Sequence, residues 1–251
     1  MERGQRGEVY MECKNCDRVF DDNFCPNCGQ KAIAGRLDIK HILKSFFKLY
    51  VSFDKGFFKL FKDLFTKPAI VIQEYINGKR IKYFNPFQYF LITIGALLYI
   101  IIKYDLGTQL ADSESIQGDV SSFRTQFISF FYDKFNILEL ALVPLLSIFT
   151  YLFFRSSGYN FTENLVLNIF VSAQKNIIII FTSIFMILFQ PYAAMIGKIN
   201  ILLYSVYFIW VYSVFFKTGK PGGRIVKSLL VLISYFLSSI VLVVIVFYFI
   251  F

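Results

Sequence analysis

Residues 228–251 read SLLVLISYFLSSIVLVVIVFYFIF, an unbroken run without a single charged side chain. As a helix rising about 1.5 Å per residue it would reach about 36 Å, enough to cross a hydrocarbon core of about 30 Å. No soluble core of a 251-residue chain needs such a run. Outward from it, three more uncharged windows are long enough to span a bilayer: Pro86–Ile102, Ile199–Phe216 and Asn176–Ile196, the last interrupted late by Pro191. A fifth, Ile137–Phe154, carries one charge, Glu139, near its start. The apolar share of 56% and mean hydropathy of +0.56 exceed what soluble domains show. The reading is an all-α polytopic membrane protein of about five transmembrane helices, at 86–102, 137–154, 176–196, 199–216 and 228–251.

The charges orient it. The first 82 residues carry well over half of the 26 Lys and Arg, Arg155 follows the second window, and Lys217, Lys220, Arg224 and Lys227 fill the last connection. The segment from Lys103 to Asn136 is instead net acidic, and only Lys198 separates the third and fourth windows. Basic flanks stay on the cytoplasmic side, which places the N-terminus inside and the C-terminus outside. The polar, cysteine-bearing first residues do not resemble a cleavable signal, so the N-terminus is expected to be retained.

All four cysteines fall in two Cys-x2-Cys knuckles, Cys13-Lys14-Asn15-Cys16 and Cys25-Pro26-Asn27-Cys28-Gly29. Two such pairs, joined by eight residues that suit a short hairpin, let four thiolates converge tetrahedrally on one Zn2+ ion. Disulfides need an oxidising compartment, and the charge pattern places this segment on the other side of the membrane. Four thiolates leave no open position for catalysis, so the ion is structural, and it supplies the folding energy that so short a ribbon lacks. Acidic residues Glu2, Glu8, Glu12, Asp17, Asp21 and Asp22 offset the ribbon's basic ones, which argues against tracking a nucleic-acid backbone and for protein contact.

Residues 1–37 therefore form the zinc ribbon and linker, 38–84 a cytoplasmic amphipathic segment, and 85–251 the membrane domain. From Asp38 apolar residues recur at helical spacing through Leu64, with Lys40, Lys44, Lys48, Lys55, Lys59 and Lys62 on another face. Such a helix is expected to lie along the membrane on anionic headgroups. Pro68 ends it, a shorter helix closes at Asn77-Gly78, and Asn85-Pro86 opens the first span.

Gln174-Lys175-Asn176 interrupts an otherwise apolar stretch. Either residues 162–174 form an interfacial helix capped by Thr162, with Lys175 reaching the cytoplasmic surface, or one helix continues with a lysine near its middle; the first is the expectation. Glu139 and Glu163 are read as interface residues. With His41 as the one histidine, on the lysine side of the amphipathic helix, no nucleophile and base can be paired, and no enzyme activity is expected.

The ribbon ending Cys25-Pro26-Asn27-Cys28-Gly29-Gln30, then Thr66-Lys67-Pro68, Glu74-Tyr75-Ile76-Asn77-Gly78-Lys79-Arg80, Tyr83-Phe84-Asn85-Pro86 and Glu163-Asn164-Leu165-Val166, resemble a bacterial family of uncharacterised zinc-ribbon membrane proteins. In layout that family is similar to the five-span Yip1-type membrane proteins. The resemblance implies the architecture above and no activity, and its members often carry third-span histidines that this chain lacks. The functional expectation is an inner-membrane scaffold or adaptor that recruits a protein partner or lipid through its cytoplasmic ribbon and basic helix. The rival is a small channel or transporter lined around Lys175 by Gln174, Asn176, Glu139 and Asn168.

Overall fold

The computed structural model describes residues 2–3, 9–32, 36–39, 56–106 and 135–250, and divides into two compact units, Met1–Tyr89 and Phe90–Phe251.

In the first unit β1 (Glu2–Arg3), β2 (Val9–Glu12) and β3 (Val19–Phe20) form an antiparallel sheet in that order, with Met11 opposite Phe20 and Glu12 opposite Val19. Alternation along the strands turns Phe20 inward, against Cys13 and Cys25. Two helices follow, α1 (Gly56–Thr66) and α2 (Pro68–Ile76). Lys67 separates them, because Pro68 cannot continue α1 yet suits the first turn of α2. Leu60 and Leu64 of α1 and Val71, Ile72 and Tyr75 of α2 are buried. Asn77 caps α2, and Gly78 turns the chain at φ +114°, where a side chain would be strained. Of the amphipathic helix expected from Asp38, residues 40–55, including His41, lie outside the described residues.

The chain continues through α3 (Pro86–Lys103), opened by Asn85, whose Oδ1 accepts from the Phe87 amide at 2.9 Å. In the second unit, α4 (Phe135–Phe153) packs on α5 (Phe161–Leu188), α5 on α6 (Ala193–Phe215), and α7 (Pro221–Ile250) on both α6 and α4. Among the described residues four helices are long and apolar enough to cross a membrane: Pro86–Lys103, Phe161–Leu188, Gln190–Phe215 and Pro221–Val246. The window expected at 137–154 appears as a shorter apolar helix, Leu138–Phe153, with Pro144 inside it. Large apolar side chains such as Leu202, Leu237 and Ile240 stand exposed, an arrangement suited to lipid.

Two sequence expectations are corrected here. The break between the third and fourth windows lies at Phe189–Tyr192, so the helices are 161–188 and 193–215 in place of 176–196 and 199–216. Pro191 forces this, since it has no amide to donate back to α5 and its ring blocks that helix from continuing, whereas Gly197 and Lys198 sit inside α6. The second correction is that Gln174-Lys175-Asn176 does not break α5. The helix is continuous, and its cap is Asn160 rather than Thr162: Asn160 Oδ1 accepts from the Glu163 amide and Glu163 Oε2 accepts from the Asn160 amide, both at 2.8 Å.

Candidate metal centre

The two knuckles are near copies of each other. In the first, the Asp17 amide donates to the Cys13 carbonyl at 2.8 Å and the Cys13 amide to the Arg18 carbonyl at 2.9 Å. In the second, the Gly29 amide donates to Cys25 and the Cys25 amide to Gln30, both at 2.8 Å. Each turn needs a left-handed residue after its second cysteine. Gly29 takes that conformation freely at φ +71°, and Asp17 takes it at φ +60°, as short polar side chains can.

The knuckles bring Cys13, Cys16, Cys25 and Cys28 together, with every pair of Sγ atoms within 4.8 Å. The nearest pairs cross between knuckles, Cys13 to Cys28 at 3.5 Å and Cys16 to Cys25 at 3.6 Å. A disulfide is about 2.05 Å long, and all four cysteines are free. A tetrahedron with arms of about 2.3 Å has edges of about 3.8 Å, so these separations suit a metal ion held by four thiolates. Burial pushes the Cys13 thiol up to about 12, while bonds from the Asn27 side chain and the Arg18 backbone lower Cys16 to about 6. A bound cation would reverse the cost at Cys13, because a coordinating thiol gives up its proton to the metal.

The ribbon is tied to the turn that follows α2. Gln30, directly after the second knuckle, is buried; its Nε2 donates to the Gly78 carbonyl at 2.8 Å and its Oε1 accepts from the Arg80 amide at 3.1 Å and the Ile81 amide at 3.4 Å. From the first knuckle, Asn15 Oδ1 accepts from the Lys82 amide at 3.3 Å. A side chain at Gly78 would come within 2.7 Å of Lys14 Cδ and 2.9 Å of its Cβ, so only glycine admits this approach. The same turn is braced from α2, where Glu74 accepts from Lys82 at 2.6 Å, from Lys79 at 3.5 Å and from the Tyr83 hydroxyl. Burial works to raise the Glu74 carboxyl, but the bonds from Lys82 and Tyr83 and the charges of both lysines overcome it and hold it at about 2.

Two clusters of buried polar side chains join helices of the second unit. Asn168 donates to Ser147 Oγ at 3.1 Å and Thr150 Oγ1 at 2.6 Å, and accepts from the Tyr212 hydroxyl at 2.6 Å, which joins α5 to α4 and α6. Lys175 Nζ lies 2.7 Å from both oxygens of Glu139, and both residues are buried. Lys175 and Glu139 each lie fourteen residues from the ends of their helices at the 154–160 turn, so an antiparallel α4–α5 pair matches them about 21 Å from it. Tyr204 of α6 lies in the field of both charges and Tyr235 of α7 in that of Glu139. This corrects the expectation of a surface-seeking Lys175 and an interfacial Glu139. Glu163 serves as a capping residue. Gln174 is buried, and both polar side-chain atoms of Asn176 are buried with no hydrogen-bond partner among the described residues.

The sequence signalled the four cysteines directly. It also holds a carboxylate inside one apolar window and a lysine at the edge of the next, Glu139 and Lys175, and a lysine kept within a continuous helix calls for such a partner. Nothing in the sequence singled out Gln30 as the link to the turn.

A family model described as a protein of unknown function (DUF3667) is similar to residues 54–98, which cover α1, α2 and most of α3 and leave the cysteines outside. No curated protein and no solved structure matches the chain.

Proposed function

We propose that this chain is a membrane-embedded scaffold whose zinc ribbon, held against the turn that leads into the first span, presents a docking surface to a protein partner in the cytoplasm. The observation that carries the reading is the clamp of Gln30 and Asn15 on residues 78–82, since it joins a metal-stabilised module to the start of a membrane helix. Four thiolates converging from two Cys-x2-Cys knuckles suit a structural zinc ion. The ribbon exposes Val19 at 60% and Phe24 at 56%, large apolar surface for so small a module and a fit to protein rather than nucleic acid. In this reading α4 completes a set of five spans in a bacterial inner membrane, with the N-terminus cytoplasmic, the C-terminus outside and the basic segment on anionic lipid. The closed clusters around Asn168 and Lys175 act as bolts between helices.

The test is photo-crosslinking from position 24 in native membranes. A discrete adduct that disappears in the Cys25→Ser/Cys28→Ser variant, with membrane integration intact, is expected. Absence of an adduct, or an adduct indifferent to the cysteines, would contradict the scaffold role. A second reading, a small channel or transporter, draws on the buried Lys175–Glu139 pair and the unpartnered Asn176. Against it, Asn168 and Lys175 spend their bonds on neighbouring helices. Ion flux through reconstituted vesicles that is abolished by Asn176→Leu would favour it.

A further inference from the structure

Two short turns gather positive charge at one end of the second unit. The first, 154–160, joins α4 to α5, and the second, 216–220, joins α6 to α7. The buried Phe154 and Phe216 rings stack 3.9 Å apart and hold the turns together, and Tyr159 lies 4.8 Å from Phe215. Arg155 follows one stacked ring in sequence and Lys217 the other. Lys220 precedes α7, and Arg224 and Lys227 stand in its first two turns. Lys227 Nζ sits 5.9 Å from the centre of the Phe154 ring, and Arg224 Nη1 donates to the Ser213 carbonyl of α6 at 2.9 Å. None of these five cations has a carboxylate partner among the described residues. From Leu140 to Phe251 the sequence holds a single acid, Glu163, which is buried and whose Oε2 accepts from the Asn160 amide. Five like charges at one end of a bundle repel one another, and an anion seated among them relieves that cost.

We infer that this end of the second unit binds an anionic phospholipid, its phosphate among Lys217, Lys220 and Arg224 and its acyl chains along α7. Basic surface between membrane-crossing helices is where such headgroups are held. A lipid, as against a free phosphate, follows from what adjoins the cations. Ile225, Val226, Leu229 and Leu230 of α7 are 40–55% exposed and begin directly after Arg224. One ligand with a charged head and apolar tails meets both surfaces, whereas inorganic phosphate meets only the first. Arg224 is already held by the Ser213 carbonyl, so its guanidinium loses little freedom on binding. The inference rests on the reading of the chain as membrane-embedded and not on the ribbon's partner, and its residues are separate from the basic segment ahead of the first span.

The experiment is native mass spectrometry of the full-length chain in detergent, titrated with phosphatidylglycerol or with phosphatidylcholine of the same acyl chains. Phosphatidylglycerol adducts should form at a concentration about tenfold lower than phosphatidylcholine adducts. The Lys217→Gln/Lys220→Gln variant changes two exposed side chains that bond nothing among the described residues. It should weaken phosphatidylglycerol binding about tenfold and leave phosphatidylcholine binding as it was. Lys103→Gln/Lys198→Gln removes the same charge elsewhere and should bind as the native chain does. Unchanged phosphatidylglycerol binding in the first variant, or equal losses in both variants, would overturn the inference, the second because it shows a response to net charge alone. Displacement of the lipid by an equal concentration of glycerol phosphate would show that the tails contribute nothing and that the site reads free phosphate, which overturns it as well. The ribbon, Lys59 and Lys62 are untouched by these changes, so the crosslink at position 24 stands or falls on its own.

Discussion

Replacing Lys175 with methionine keeps the length of the side chain and removes its charge, leaving Glu139 buried among α4, α5, α6 and α7 with no cation. In the native chain both Glu139 oxygens lie 2.7 Å from Lys175 Nζ, and both residues are all but inaccessible. Breaking a buried pair from one side costs about 3–5 kcal/mol, because the remaining charge keeps its desolvation penalty and loses its compensation. Removing both charges is different. The double variant Lys175→Met/Glu139→Leu fills the same volume with apolar atoms and should unfold within about 1 kcal/mol of the native chain, or be more stable. The cycle should therefore give a coupling energy of about 3 kcal/mol or more. Reversible unfolding in bicelles of the native, two single and double variants measures it. Additive costs, with the double variant worse than either single, would refute a closed ion pair and point to separate roles for the two groups.

Asn168→Leu should cost about 2–4 kcal/mol in the same assay, since it strands Tyr212, Ser147 and Thr150 at once, whereas Asn176→Leu, which loses no bond, should be neutral or stabilising. Gly78→Ala should cost about 1–3 kcal/mol through its positive φ and its approach to Lys14, and adding Lys14→Ala should recover only part of that, because the backbone strain persists; unfolding of the purified chain checks both. The depressed carboxyl of Glu74 contributes stability that is fully present above the ordinary glutamate value of 4.5 and is lost as pH falls toward about 2. With its lysine partners more than a third exposed, solvent screening reduces this to about 1 kcal/mol, and Glu74→Gln should flatten the acid limb of the stability profile.

The parts of the fold that were legible in the sequence are those where one local pattern has one physical solution. Two Cys-x2-Cys pairs at short spacing leave their thiolates little choice but to converge, and Pro68, Asn77-Gly78 and Asn85-Pro86 mark the helix ends at which the chain turns. The elements that depart from the local pattern share a cause. At Gln174-Lys175-Asn176 the local polarity points out of the membrane, but a lysine can stay if another helix supplies a carboxylate. That partner, Glu139, is remote in sequence. Between α5 and α6 the run of uncharged residues ends at Lys198, whereas the backbone breaks at Pro191, where the amide donor is missing. The Gln30 clamp was invisible for another reason: a glutamine after a glycine has no local signature, and its partners are backbone groups nearly fifty residues away.

The central claim is that a zinc ion organises the ribbon and, through Gln30 and Asn15, the turn that opens the first span. Hydrogen exchange at the amides of Arg80, Ile81 and Lys82, followed in the full-length chain in nanodiscs before and after chelation, tests it most directly. The native chain should carry a single zinc ion, and those three amides should be protected with it. Removing the ion should unprotect them together with the amides of Cys13 and Cys25, while the amides within α5 stay as they were. Zinc lost with the protection at residues 80–82 unchanged would show that the turn stands without the ribbon, and would contradict the account.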